Sequence, residues 1–96
     1  MTSVEIRRVE TNKKQYLALL LLADEQEDMI DRYLERGSMY VLEDDGVKAE
    51  CVVTDEGGGV LELKNIAVEP DFQGKGYGKA LVDFLIRTYA GQYMLL

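Results

Sequence analysis

The chain of 96 residues has no histidine, no tryptophan, one cysteine and one proline. A single cysteine excludes an internal disulfide framework, and the lack of histidine removes the usual general base, so we expect no metal site built from His and Cys. The longest purely apolar stretch, Tyr16 to Ala23, is much shorter than the ~20 residues that span a bilayer. No basic segment followed by an apolar one opens the chain, so we expect a cytoplasmic protein without a membrane partner.

Positive charge is also scarce, since 11 Lys and Arg face 18 Asp and Glu and the formal net charge is −7. A nucleic acid partner requires a basic face, so this balance argues against one. It is compatible with a cationic acceptor such as an amine. Apolar residues make up 47% of the chain, which is typical of a folded globule. We therefore expect a single domain over residues 1–96 with one modest core.

Hydrophobic periodicity predicts four strands and three helices. In chain order they are a strand at Val4–Val9, a helix from Thr11 or Asn12 to about Leu22, a helix at Asp24–Arg36, strands at Ser38–Glu43, Val47–Thr54 and Val60–Val68, and a helix from Gly76 to about Tyr89. We expect Thr11 or Asn12 to cap the first helix, and Gly37 to end the second in a left-handed conformation. The residues of the third helix expected to be buried are Leu81, Val82, Phe84, Leu85 and Ile86.

A glycine-rich run, Gln73-Gly74-Lys75-Gly76-Tyr77-Gly78, lies between the apolar strand and the third helix. It follows the corner Glu69-Pro70-Asp71. A strand, a glycine-rich turn and a helix start bring free backbone N–H groups and the positive end of a helix together, which is typical of an anion site for a pyrophosphate. Gly76 and Gly78 lack a Cβ, so we expect both to allow left-handed angles and close approach of phosphate oxygens.

Two common phosphate-binding motifs do not fit this run. A P-loop requires Gly-Lys-Ser/Thr, but Gly78-Lys79 is followed by Ala80, and the position five before Gly78 is Gln73. A dinucleotide fingerprint requires a third glycine at residue 79 or 81, where the chain has lysine and leucine.

The spacing Gln-x-x-Gly-x-Gly at 73, 76 and 78, preceded by Asn65-Ile66-Ala67-Val68-Glu69-Pro70, closely resembles the acetyl-CoA pyrophosphate loop of the GNAT superfamily of N-acetyltransferases. The resemblance implies a three-layer α+β fold, with a mixed, mostly antiparallel sheet flanked by helices. It also implies acetyl-CoA as the cosubstrate. The cofactor-binding residues that it implies are Ile66, Ala67, Val68, Gln73, Gly74, Lys75, Gly76, Tyr77, Gly78 and Lys79. For the two lysines, a solvated pair that binds no ligand is an alternative explanation.

The strand at 60–68 changes the phase of its alternation. Leu61 and Leu63 are apolar at odd positions, whereas Ile66 and Val68 are apolar at even positions. Because side chains alternate between faces with period two, the change predicts a β-bulge near Lys64–Asn65. In GNAT-like folds the corresponding splay opens the cleft that receives pantetheine. The alternative is a strand that is buried on both faces after Asn65.

The resemblance implies acetyl transfer from a thioester to an amine, which must first lose a proton. Glu62 matches the position of the catalytic glutamate in some family members and is our candidate general base, acting directly or through water. Glu50 is a weaker candidate. The backbone N–H of Val68 matches the group that contacts the thioester and would stabilise the oxyanion. Cys51 is interpreted as a small core residue rather than an acetyl carrier.

The resemblance covers nearly all of this chain but only the first two thirds of the family's fold. It therefore implies a C-terminally incomplete domain that stops after the start of its fifth strand. The implied function is acetyl transfer to an amine of a small molecule or a protein. Two alternatives remain: a non-catalytic module that binds acyl-CoA, and a fragment that forms homodimers through the apolar edge strand Tyr93–Leu96.

Overall fold

The computed structural model describes residues 4–96 and has the predicted order of strands and main helices. The elements are β1 (Glu5–Val9), a 3₁₀ helix (Lys13–Tyr16), α1 (Leu17–Ala23), α2 (Glu27–Asp31), β2 (Ser38–Glu43), β3 (Val47–Gly57), β4 (Val60–Val68), a second 3₁₀ helix (Pro70–Phe72), α3 (Tyr77–Thr88) and β5 (Tyr93–Leu95).

The five strands form one sheet in the order β1-β2-β3-β4-β5. The first three pairings are antiparallel, and β4 pairs with β5 in parallel. This confirms the predicted mixed, mostly antiparallel sheet of an α+β fold.

Side chains of the central strands are buried on both faces of the sheet. Met39 and Val41 of β2 pack with α1 and α2 on one face. Tyr40 and Leu42 pack with α3 on the other. The fold therefore has three layers, with the sheet in the middle. Cys51 is fully buried in the α3-side cluster, and burial raises the pKa of its thiol to about 12. Its interpretation as a core residue is confirmed.

The predicted β-bulge is present in β4. Val52 of β3 pairs with Asn65, while the next residue, Val53, pairs with Leu63, so Lys64 is the extra residue. The change of phase read from the sequence therefore marks a real irregularity of the ladder. Because of the bulge, Leu63 and Ile66 both pack on the α3-side cluster although they are three positions apart.

The helices on the first face differ from the prediction. The first begins as a 3₁₀ turn after Asn12, whose left-handed backbone (φ 51°) forms no side-chain cap within the described residues. The second spans only Glu27–Asp31 and continues as turns to residue 36. The carbonyls beyond it are satisfied by buried Lys13, whose Nζ donates to Leu34 O at 2.9 Å and Gly37 O at 2.8 Å. This tertiary anchor replaces the helical turns that the periodicity predicted.

Two apolar helix positions are more exposed than their sequence pattern suggests. Ile86 of α3 is 56% exposed, so its predicted burial is wrong, while Leu81 and Leu85 are buried as expected. Leu22 of the almost entirely apolar α1 is 51% exposed. Among residues 4–96, no helix is both long and apolar enough to cross a membrane.

Gly37 does not have the predicted left-handed conformation. A Cβ at this position would lie 2.7 Å from Val52 Cγ1 and 2.9 Å from Tyr33 O. The glycine is therefore required by the close approach of the chain to β3 rather than by its backbone angles.

We expect Gly37→Ala to lower the free energy of unfolding by about 2 kcal/mol, since the added methyl group overpacks the core. Urea denaturation measures this. Gly78→Ala is the matched control: Gly78 also has an ordinary φ, and its Cβ would lie at a normal 3.7 Å from Val68 Cγ2. It should leave stability unchanged or raise it by up to about 1 kcal/mol. Equal effects of the two substitutions would contradict the packing explanation.

Candidate functional site

The loop between β4 and α3 is shaped by two left-handed glycines. Gly74 has φ 82° and Gly76 has φ 85°, and neither position has a heavy atom within 4 Å of an added Cβ among the described residues. The expectation for Gly78 was wrong, because its φ is ordinary. The loop therefore contains two left-handed positions, two residues apart, with open space beside each among the described residues.

The amino end of α3 offers free backbone donors. Gly76 is the N-cap residue, and within the described part of the chain no side chain caps this end. The amide of Ala80 donates to Gly76 O at 3.0 Å and closes the first helical turn. The N–H groups of residues 77–79 therefore have no intrahelical acceptor. Together with the helix dipole they form a positive end that favours an anion.

A cavity of about 300 Å³ adjoins this loop. Its lining residues are Leu22, Ile66, Ala67, Val68, Gln73 and Gly78. Five of the six belong to the set predicted to bind the cofactor. Leu22 of α1 was not predicted to bind the cofactor. The sequence feature that could have indicated it is that this helix is apolar around nearly its whole circumference. The other predicted cofactor residues (Gly74, Lys75, Gly76, Tyr77 and Lys79) lie in the loop and first turn of α3 rather than in the cavity wall.

Backbone N–H groups near the end of β4 point to the edge of this strand that lies opposite β3. Glu69 N donates to Lys48 O of β3 at 2.8 Å, and Gln73 Nε2 donates to Val68 O at 3.3 Å from the other side. Because N–H directions alternate along a strand, the amides of Val68 and Ile66 both point away from β3. Within residues 4–96, β5 pairs with β4 only at residues 60–62. The amides at 66 and 68 therefore face an edge without a strand in the described chain.

The charged and aromatic side chains of the loop have partners of their own. Lys79 forms an exposed i, i+4 ion pair with Asp83 at 2.8 Å, and Lys75 Nζ lies 5.7 Å from the centre of the Phe72 ring. The Tyr77 hydroxyl donates to the carboxylate of Asp44, and this hydrogen bond raises the pKa of the tyrosine. The side chain of Tyr77 thus ties the loop to the β2–β3 turn, which leaves its backbone N–H for a ligand.

Glu62, the candidate base, lies on β4 before the bulge and is half-buried. Its carboxylate pairs with Lys64 Nζ at 2.9 Å. Glu62 is not part of the cavity beside the loop. The structure thus brings the candidate cofactor residues together and places Glu62 farther along the same strand.

Glu50, the weaker candidate, is fully buried on β3 opposite Ala67. Neither of its carboxylate oxygens has a hydrogen-bond partner within residues 4–96, and the same holds for Asn65 Oδ1. Burial raises the pKa of the Glu50 carboxyl to about 8. Asn65 Nδ2, by contrast, donates to Leu20 O and to the Tyr33 hydroxyl, each at 3.0 Å. Asn65 therefore joins β4 to α1 and to the turns that follow α2.

Known proteins are similar to this chain in both sequence and fold. Over 74 residues it is 43% identical to an uncharacterised N-acetyltransferase, YvbK, of Bacillus subtilis (strain 168), a match that covers 76% of this chain and 47% of YvbK. A Bacillus subtilis acetyltransferase in complex with CoA is 35% identical with a TM-score of 0.83, over 91% of this chain and 58% of that one. A GNAT family acetyltransferase from Elizabethkingia anophelis with acetyl-CoA bound is 30% identical, also with a TM-score of 0.83, over 88% of this chain and 56% of that one.

These likenesses define the three-layer arrangement as an N-acetyltransferase fold. A family model of the acetyltransferase (GNAT) domain also matches residues 35–96, which is more than half of the chain. The chain therefore belongs to the GNAT acetyltransferase family. It spans between 47% and 58% of the length of the three relatives named above.

Proposed function

We propose that this chain is an acetyl-CoA-binding acetyltransferase domain whose loop between β4 and α3 holds the pyrophosphate. The free amides at the start of α3 carry this proposal, because they converge beside Gly74 and Gly76 with no side-chain cap in the described chain. The complexes of two relatives with CoA and acetyl-CoA support it. Lys75 and Lys79 would add positive charge at the rim of the loop.

Pantetheine would extend from this loop along the edge of β4. Ile66 and Val68 present their amides there, and pairing with an extended ligand would satisfy them as an added strand does. Ala67 and Leu22 contribute to the wall of the adjoining cavity. The thioester end of the cosubstrate would then lie along β4, on the side of the bulge.

The proposed reaction forms an amide bond as the thioester C–S bond breaks, and CoA leaves as a thiolate that takes its proton from solvent. The Val68 N–H would donate to the thioester oxygen as it gains negative charge. Glu62 would receive the proton of the attacking amine. Glu62 and Val68 are six positions apart, at most roughly 20 Å along an extended strand. Glu62 is thus out of direct contact with groups held at Val68, and it would take the proton through a chain of water molecules.

We expect Glu62→Gln to lower the rate of acetyl transfer about a hundredfold, because an amide cannot accept the proton. The affinity for acetyl-CoA should be unchanged, since Glu62 does not line the cofactor cavity. The rate is followed as CoA release with a panel of primary amines, over a range of pH. Glu43→Gln is the matched control, because Glu43 is also a strand carboxylate paired with a cation, and its side chain is 37% exposed against 36% for Glu62. Equal rates of the two variants at every pH would exclude Glu62 as the base.

A non-catalytic acyl-CoA-binding module is the second candidate function. The ion pair between Glu62 and Lys64 supports it, because Lys64 Nζ contacts a carboxylate oxygen that the proton transfer would need. Acetyl-CoA binding without turnover of any amine in the panel would favour this candidate. A homodimer formed through β5 is compatible with either function and is supported by the exposed side chains of Tyr93 and Leu95. The mass of the chain in solution tests it.

A further inference from the structure

A second cavity of about 410 Å³ lies on the face of the sheet that carries α1 and α2. Its lining residues are Asp24, Met29, Arg32, Tyr33, Arg36 and Lys64. None of these lines the cavity beside the glycine loop. Both cavities are nevertheless lined by residues of β4 and of the end of α1. Lys64 and Ile66 are two positions apart on β4, and Leu22 and Asp24 are two positions apart at the end of α1.

The charge of this second cavity is opposite to that of the chain. Three cations and one carboxylate line it, in a protein whose formal net charge is −7. Two of the cations have acidic partners: Lys64 pairs with Glu62 at 2.9 Å, and Arg36 with Glu56 at 3.3 Å. Arg32 forms no ion pair with any residue in the described range 4–96. Its guanidinium is therefore available to an anionic ligand.

The single carboxylate of the cavity is fixed in position. Asp24 Oδ2 accepts from the Tyr33 hydroxyl at 3.2 Å, and that hydroxyl accepts from Asn65 Nδ2 at 3.0 Å. Asn65 lies on β4 between Lys64 of this cavity and Ile66 of the cofactor cavity. Asp24 is thus linked through Tyr33 to Asn65, which lies on β4 between a lining residue of each cavity. An amine bound at Asp24 would lie near the strand along which the cosubstrate is proposed to extend.

We propose that this cavity receives the acceptor, and that it selects an amine that also carries a carboxylate. The Asp24 carboxylate attracts the ammonium group, and the planar fork of Arg32 binds the carboxylate through two parallel hydrogen bonds, with Arg36 four residues further along the turns that follow α2. Met29 adds an apolar side chain to the lining. This inference rests on the proposed acetyltransferase function and names the substrate class of that function.

NMR titration of the ¹⁵N-labelled 96-residue chain tests the inference without turnover. The probes are the dipeptide glycyl-leucine and its C-terminal amide, which differ only in the carboxylate. We expect the free acid to bind at least about tenfold more tightly than the amide and to shift the signals of Asp24, Arg32 and Lys64. Arg32→Gln should remove this preference. Arg87→Gln should retain the preference for the free acid, because Arg87 is an exposed residue of α3 and does not line the cavity.

Equal affinity for the two probes, tighter binding of the amide, or no saturable shift at the cavity would overturn the inference. Acetyl-CoA is titrated into the same samples, and its shifts are expected at the loop between β4 and α3. Loss of the acetyl-CoA response with the dipeptide preference intact would contradict the proposed function alone. An intact acetyl-CoA response without a preference between the two dipeptides would contradict the carboxylate specificity alone.

Discussion

Gly76→Glu should lower the affinity for acetyl-CoA at least about a hundredfold, which corresponds to ~2.7 kcal/mol. Gly76 is the N-cap residue of α3, and its φ of 85° directs any side chain into the open space of the loop. A carboxylate there would occupy the position proposed for the pyrophosphate and repel its negative charge. Calorimetric titration with acetyl-CoA at two ionic strengths measures the loss, and added salt should reduce its electrostatic part.

A second glutamate variant separates this effect from backbone strain. Gly58 also has a positive φ, 62°, with no heavy atom within 4 Å of an added Cβ in the described chain, but it lies in the exposed β3–β4 turn. Gly58→Glu therefore adds the same charge and a similar conformational cost of about 1 kcal/mol. We expect it to bind acetyl-CoA as the wild-type chain does. If Gly76→Glu keeps wild-type affinity, the loop does not hold the pyrophosphate.

Glu50→Gln should remove a contribution to the pH dependence of stability that acts near neutrality. Burial raises the pKa of the Glu50 carboxyl to about 8 in the folded chain, against about 4.3 for an unfolded glutamate. The folded state therefore holds a proton that the unfolded state has lost between these values. The stability contributed by this group is fully present below pH ~4 and is lost as the pH rises through about 8.

Relative to the variant, the wild-type free energy of unfolding should thus fall by about 1.4 kcal/mol per pH unit between pH 5 and pH 8. Glutamine does not titrate, so its curve lacks this slope. Urea denaturation at intervals of one pH unit measures the difference, and the ¹³C signal of the Glu50 carboxyl gives its pKa directly. Parallel curves for the two chains, with a carboxyl that ionises near pH 4, would contradict the account of an unpartnered buried acid.

The bulge and the glycine loop could be predicted because each leaves a local pattern in the sequence. The change of apolar phase between Leu63 and Ile66 requires an extra residue wherever one face of the strand is buried. Left-handed angles were expected at Gly76 and Gly78, and the structure has them at Gly76 and at Gly74, in the same short run. Both patterns are properties of consecutive residues, so no knowledge of the remaining fold is required to recognise them.

Other features could not be predicted, because they depend on residues that are distant in the sequence. Gly37 was assigned a helix-ending role, but its methylene group packs against Val52, fifteen positions later. Lys13 has the sequence character of a surface residue, yet its ammonium group donates to the carbonyls of Leu34, Glu35 and Gly37. Ile86 fits the apolar pattern of α3, yet its side chain is exposed.

The candidate site shows the same division. The loop and the apolar end of β4 follow from contiguous residues, so most of the cofactor cavity could be predicted. The cavity lined by Asp24, Arg32 and Lys64 assembles residues from three separate segments, and no spacing rule connects them. The unpartnered carboxylate of Glu50 was equally hidden, since the sequence shows only a charged residue in an alternating strand.

The most direct test of the central claim is calorimetric titration of the chain with acetyl-CoA and, separately, with S-acetylpantetheine, which lacks the pyrophosphate and nucleotide. We expect one site of micromolar affinity for acetyl-CoA. S-acetylpantetheine should bind at least about a hundredfold more weakly, because it brings no anion to the loop at α3. A folded chain that releases no heat with acetyl-CoA, or that binds both compounds equally, would contradict the assignment of this loop as a pyrophosphate site.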